Sequence, residues 1–127
     1  MPITYHLIEE NRVQHMVIAE PWDVEELLPV IRAIVSDLEK QSKTTHILVD
    51  IRQAKHVPIG VLGRIRHEMR PGHPRRGHTV IVGGVVLFRE VFRYLASYYR
   101  YDRLKMFGDE DEAFAYVRKL IADEKMP

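Results

Sequence analysis

The run HILVDI, residues 46–51, decides the fold class. It is too short for a globular helix, and its centre is apolar without alternation. That pattern belongs to a strand covered on both faces, as in a parallel sheet. Working upstream, Val24, Leu27, Leu28, Ile31, Ile34, Val35 and Leu38 follow the three-four spacing of one helix face. Asp23 is placed to cap that helix, with Glu26 three residues on, and Pro29 is expected to distort its first turn. Further upstream, Ile3, Tyr5 and Leu7 alternate with Thr4, His6 and Ile8. A polar turn, Glu9 to Arg12, follows, and then the β-branched run Val13 to Ala19, which together predict an antiparallel hairpin.

Downstream, Pro58, Val61, Leu62, Ile65 and Met69 predict a second amphipathic helix with Pro58 in its first turn, ended by Pro71-Gly72 and Pro74. Thr79 to Val82 reads as another buried strand closed by Gly83-Gly84. Phe88, Val91, Phe92, Leu95 and Tyr99 form a third helical stripe, and Leu104 to Phe107 a last short strand. Asp109, three residues before Glu112, opens a final helix whose inner face is Ala113, Tyr116, Val117, Leu120 and Ile121. The order ββαβαβαβα predicts an α/β fold. Its sheet is mixed and mostly parallel, of about five strands with four helices, in a single domain over residues 1–127.

Composition narrows the chemistry. Of 127 residues, 46% are apolar and 29% charged, which describes a folded chain and excludes a disordered or fibrous one. The absence of cysteine removes disulfides, thiolate metal sites and Cys nucleophiles, and fits a reducing cytoplasm. The start, MPITYHLIEE, lacks the basic and apolar regions of a signal peptide, and no apolar run is long enough to span a bilayer. Ser36, Ser42 and Ser97 fall in a helix, a loop and a helix, none in a strand-turn-helix elbow, so an activated hydroxyl is not expected. Seven histidines invite a metal, but the nearest group, His67, His73 and His78, fits no zinc spacing; solvated histidines explain them better.

Asp50 ends the decisive strand at the edge where α/β sheets bind ligands. It reads either as a base or ligand anchor or, more simply, as a carboxylate accepting backbone N–H groups. Gly83-Gly84 lacks a phosphate-loop signature, and a sharp turn accounts for it. Charge is segregated along the chain. Residues 51–107 carry 12 bases and 3 acids, whereas residues 1–50 carry 9 acids and 4 bases. Arg66, Arg70, Arg75, Arg76, Arg89 and Arg93 therefore read either as solvated helix faces and loop or as one basic patch for an acidic partner. Tyr94, Tyr98, Tyr99 and Tyr101 lie near the basic helix, yet Tyr99 belongs to the core stripe, so base stacking is not required.

Several of these segments carry a resemblance: the hairpin, the Trp22-Asp23 entry to Val24-Glu25-Glu26-Leu27, the strand ILVDIR (47–52), and Met106-Phe107 followed by Asp109-Glu110-Asp111-Glu112-Ala113. They resemble the SpoIIAA-like group, which is related to STAS domains and shares features with CRAL-TRIO lipid-transfer domains. The resemblance covers nearly the whole chain. It implies a mixed sheet in a βα superhelix and a regulatory module that docks on protein partners and performs no chemistry. It also implies a phosphorylatable serine after the third strand, behind an Asp-hydrophobic pair matched here by Asp50-Ile51. The segment that should hold the hydroxyl, Arg52 to Gly60, contains none, and no Ser, Thr or Tyr occurs between Thr45 and Thr79.

The expected activity is non-enzymatic binding. The expected surface comprises Asp50, Arg52, Val57, Pro58, Ile59, Gly83 and Gly84, with Val57, Pro58 and Ile59 at a helix start. A protein partner or a second copy in a homodimer is expected, in the cytoplasm, with no cofactor, no metal, no nucleic acid and no membrane span. The alternative is a carrier or sensor of an acidic, phosphorylated or small amphipathic ligand. It predicts an apolar cavity at the strand C-termini around Asp50, Gly83 and Gly84.

Overall fold

In the computed structural model, residues 2–69 and 73–125 are described. The elements follow the expected order: β1 (Ile3–Ile8), β2 (Val13–Ala19), α1 (Val24–Glu39), β3 (Thr45–Gln53), α2 (Val61–Ile65), β4 (Arg76–Val82), α3 (Val86–Tyr98), β5 (Leu104–Phe107) and α4 (Glu110–Glu124). The five strands lie side by side in chain order, with β1–β2 antiparallel and every later pair parallel. The α/β class, the mixed sheet and the four helices are as the sequence predicts.

Strand order has a consequence for the layers. Right-handed crossovers that all step the same way along a sheet put their helices on one face. Accordingly Ile31 of α1, Ile65 of α2 and Leu95 of α3 share a core with Met16, Val49 and Ile81. The helix that follows the last strand makes no crossover and covers the other face alone, packing Ala113, Val117 and Ile121 on Val13, Leu48, Val80 and Val82. Between the two layers β3 is buried from Thr45 to Ile51, as its unbroken apolar centre requires.

The caps read from the sequence are formed. Asp23 Oδ1 accepts the Glu26 N–H at 2.9 Å, and Asp109 Oδ1 accepts the Asp111 N–H at 2.9 Å. The helix α1 runs through Pro29, which simply has no N–H to give the preceding turn.

Two boundaries differ from expectation, and both shape the functional surface. The second helix is five residues long, so Pro58 and Met69 lie outside it and Val57, Pro58 and Ile59 belong to the preceding loop. Pro58 holds Val57 away from helical geometry. Gly60 then sits at φ +80° as the helix begins, and Gly63 weakens the interior. The strand β4 starts at Arg76 rather than Thr79, with Arg76 opposite Thr45 of β3.

Candidate functional site

At the C-terminal edge of the parallel strands the chain builds a charged network beside an apolar one. Asp50 is buried. Its Oδ1 accepts the backbone N–H of Arg52 at 3.1 Å and Arg52 Nε at 3.0 Å, while Oδ2 accepts Arg52 Nη2 at 2.7 Å. The same guanidinium reaches Glu110 at the start of α4. Burial opposes ionisation of Asp50, but the bonds from Arg52 outweigh it and hold the carboxyl below its ordinary range. Asp50 is therefore an anion anchored by Arg52. The bond from the Arg52 N–H is of the kind expected for a carboxylate that ties the strand end.

This tie makes a measurable difference. Arg52→Ala leaves a buried carboxylate without its partner, which costs about 2 kcal/mol at pH 7. Because the folded carboxyl titrates below its unfolded value, that stabilisation is present above about pH 4 and is lost as pH falls through the folded value. Urea unfolding at pH 7 and pH 3.5 should show the gap between wild type and variant closing at the lower pH. An unchanged gap would assign the loss to something other than this ion pair.

Gly83 and Gly84 turn the chain at φ +70° and +99°, beside Arg52 and Ile51. A Cβ on Gly83 would collide with Cγ of Arg52, so this glycine makes room for the side chain that holds Asp50. The loop after β3 is clamped from a distance: Glu20 Oε1 accepts the N–H groups of Lys55 (2.7 Å) and His56 (2.8 Å) and lies 2.6 Å from His56 Nδ1. Trp22 stacks on Phe88, with ring centroids 5.5 Å apart, and lies 5.8 Å from the His56 ring. These contacts connect the loop before α2 to the first turn of α3.

Both connected segments expose apolar side chains. Ile59 is fully exposed at 103%, and Val86 and Leu87 are exposed at 64% and 62%, with Val85 beside them. Val57 and Pro58 are half-buried, and Val57 packs against the core. Of the expected surface, Asp50, Arg52, Gly83 and Gly84 are in mutual contact through Arg52 and Ile51. Val85 to Leu87 is a further exposed apolar run that sequence reading missed. Its signal was present as three consecutive apolar residues before the α3 stripe.

The arginines are less uniform than their sequence clustering. Arg76 is 7% exposed and points inward from β4, which removes it from any surface patch. The reason is register: starting β4 three residues early turns a predicted loop residue into a core-facing one. Arg70 lies outside the described residues. Arg66 lies 5.2 Å from the ring centroid of exposed Tyr98 on α3, Arg75 is half-buried, Arg89 flanks Gly84, and Arg93 pairs with Glu90 on its own helix. Segregated charge is partly compensated across elements, since Glu25 of α1 meets Arg64 and Arg32 meets Glu68.

A second polar cluster, at the opposite edge, was not legible. His46 is 1% exposed; its Nδ1 accepts the His78 N–H at 2.9 Å, so Nε2 carries the proton and donates to Glu124 at 2.9 Å. Glu124 also pairs with Arg12, whose Nε donates to the Thr44 carbonyl at 2.9 Å. His73 Nδ1 accepts the Arg75 N–H at 3.1 Å, His78 packs 5.8 Å from the Tyr116 ring, and His67 is exposed. Among the described residues no three His, Cys, Asp or Glu side chains form a group that could hold a metal ion.

Between the sheet and the three-helix layer lies a cavity of about 100 Å³, lined by apolar side chains such as Met16, Ile31, Val49, Phe92 and Leu95, and by Arg76. None of Asp50, Gly83 and Gly84 lines it. Among the described residues, no helix is long and apolar enough to cross a membrane.

No protein-family model and no curated protein matches the sequence. Among solved structures, the chain is similar to the protein TM1081, determined by NMR. The likeness has a TM-score of 0.52 at 18% identity and covers 90% of this chain and 86% of that one. A likeness at that identity is one of fold: the five-stranded mixed sheet with four helices in the order ββαβαβαβα.

Proposed function

We propose that this chain is a non-enzymatic, STAS-like protein-binding module of the cytoplasm, docking a partner protein on the C-terminal edge of its sheet. The observation that carries the reading is the concentration of exposed apolar side chains there. Ile59 is exposed in one segment and Val85, Val86 and Leu87 in another, and the His56–Trp22–Phe88 ring contacts connect the two segments. Exposed apolar residues scattered singly need no explanation, but Val85, Val86 and Leu87 form a consecutive exposed run, the kind of feature that marks an interaction surface. The anchored Asp50–Arg52–Glu110 network supplies a polar rim, the usual anatomy of a protein interface.

The resemblance to STAS regulators supports a docking role and argues against their phosphoswitch. A switch needs a hydroxyl that can take up about −2 of charge. The loop from Arg52 to Gly60 offers only apolar, amide and basic side chains. Docking at this edge is therefore constant rather than charge-gated.

The test pairs affinity capture with a surface variant. Wild-type protein and Ile59→Asp/Leu87→Asp are immobilised, captured proteins are compared by quantitative mass spectrometry, and the leading partner is purified for titration. The variant should bind at least about tenfold more weakly, since a charge in an interface core loses 1.4 kcal/mol or more. Its melting temperature should stay near that of wild type, because neither residue packs in the core. Sedimentation of both proteins distinguishes a second copy from a foreign partner. Equal partner binding by variant and wild type sinks the proposal.

A further inference from the structure

Among the described residues, the most deeply buried guanidinium carries an unpartnered nitrogen. Arg76 projects from the start of β4 into the apolar layer between the sheet and the helices, 93% removed from solvent, and its Nη1 is buried with no hydrogen bond. Among the described residues no carboxylate lies within ion-pair distance of it. The phenols that influence it are Tyr5 and Tyr101, and both are engaged elsewhere. Tyr5 donates to Asp37 Oδ2 at 2.7 Å and accepts from Gln14 Nε2 at 3.0 Å. Tyr101 donates to the Gly77 carbonyl and accepts from Thr79 Oγ1 at 3.0 Å. A buried charge ordinarily survives only when paired and hydrogen-bonded. Arginine cannot escape by losing its proton: burial lowers its pKa only to about 10, so it is a cation at neutral pH.

The space beside this cation is apolar. Met16, Ile31, Val49, Ile65 and Phe92 line the same cavity as Arg76. It exists because α2, at five residues, is only about 7.5 Å long and cannot roof strands β3 and β4 as α1 and α3 roof their neighbours. The half-buried side chains of Val35, Met69 and Tyr99 form its outer margin. We propose that this cavity binds a small monocarboxylate, its carboxylate paired with the Arg76 guanidinium and its short alkyl chain or single ring among the apolar side chains. Arg76 presents planar donors to a carboxylate, the geometry of a two-bond contact. The volume sets the size class. A cavity of about 150 Å³ takes up benzene. The 100 Å³ here therefore admits a chain of a few carbons, or a ring once the flexible Met16 and Met69 side chains adjust. Long-chain lipids are excluded by size. A phosphate dianion would leave one charge unpaired against a single guanidinium.

This site is separate from the docking edge, so the two stand or fall independently. The experiment titrates the full chain with hexanoate, benzoate, hexanol and hexyl phosphate, recording backbone amide shifts by NMR and the melting temperature. The expected result is saturable binding of a carboxylate, with shifts at β4, α3 and the residues around Met16. Hexanol and hexyl phosphate should bind at least tenfold more weakly. Arg76→Met replaces the cation with an apolar chain of similar reach. It should reduce carboxylate affinity at least tenfold while leaving hexanol binding unchanged. If that variant fails to fold, Ala96→Leu, which fills the cavity from α3 without changing charge, should abolish carboxylate binding. No saturable carboxylate binding to the wild type overturns the proposal. So does binding that survives both substitutions, or shifts confined to Ile59 and Val85–Leu87.

Discussion

Gly84→Ala is expected to destabilise the fold by about 3 kcal/mol, whereas Gly63→Ala, the same added methyl, should stabilise it by up to about 1 kcal/mol. At position 84 the backbone sits at φ +99°, a region that side chains rarely adopt. The new Cβ would collide with Ile51 Cδ1 and lie 2.7 Å from its Cγ1. A side-chain tip can normally swing aside, but Ile51 is fully buried in the core, where close packing resists such a shift. Gly63 lies inside α2 at ordinary φ with open space around its Cβ position, so only the entropy of the unfolded chain changes. For a chain of this size the first substitution should lower the melting temperature by about 10 °C and the second raise it by about 2–4 °C. Equal shifts for the two variants would mean that Gly84 is not the tight point of the strand–helix turn.

Stability should also fall as pH drops below about 6.5, and the cause lies under α4. His15, His46 and His78 come one each from β2, β3 and β4, and all meet that helix: His15 against Phe114, His46 against Glu124, His78 against Tyr116. Burial lowers the pKa of each. For His46 the attraction of Glu124 opposes the shift. Protonating Nδ1, however, would break its bond from the His78 N–H, and the neighbouring cations Arg12 and protonated His78 oppose a further charge. The sign follows from linkage. The folded values lie below the unfolded one, so the stabilisation is complete above about pH 6.5 and is lost as pH falls below it, where only the unfolded chain takes up protons. Urea unfolding at pH 7.5, 6.5 and 5.5 measures the slope. His46→Gln keeps a donor for Glu124 but removes the titration, so it should flatten the curve. A slope unchanged by this substitution, or a stability independent of pH, would show that the histidines are not what acid attacks.

Some of this molecule is written locally in its chain. The alternation of Ile3, Tyr5 and Leu7, the unbroken centre of HILVDI, and the three-four spacing after Asp23 and Asp109 each report how one segment meets one layer. Those patterns survive in the structure because period and capping are properties of neighbouring residues. The place of Asp50, Arg52, Gly83 and Gly84 at the strand ends was legible for the same reason: strand ends in α/β sheets have a known place. The apolar run at Val85–Leu87 was not recognised, since three apolar residues at a helix start look like core until their exposure in the folded chain is seen.

What only tertiary structure decided is where non-local pairing overrides local pattern. The apolar spacing from Pro58 to Met69 promised a full helix, but Gly60 at positive φ and the loop clamped by Glu20, more than thirty residues upstream, cut it to five residues. That shortening leaves the cavity. Arg76 reads as a solvated loop charge until its pairing with Thr45 extends β4 and turns the guanidinium inward. His15, His46 and His78 are far apart in the chain and meet the same helix only because β2, β3 and β4 pair side by side beneath α4. Secondary structure is chosen by neighbours in sequence. Which face a charge ends on depends on strand register, and register is set by partners that no local window contains.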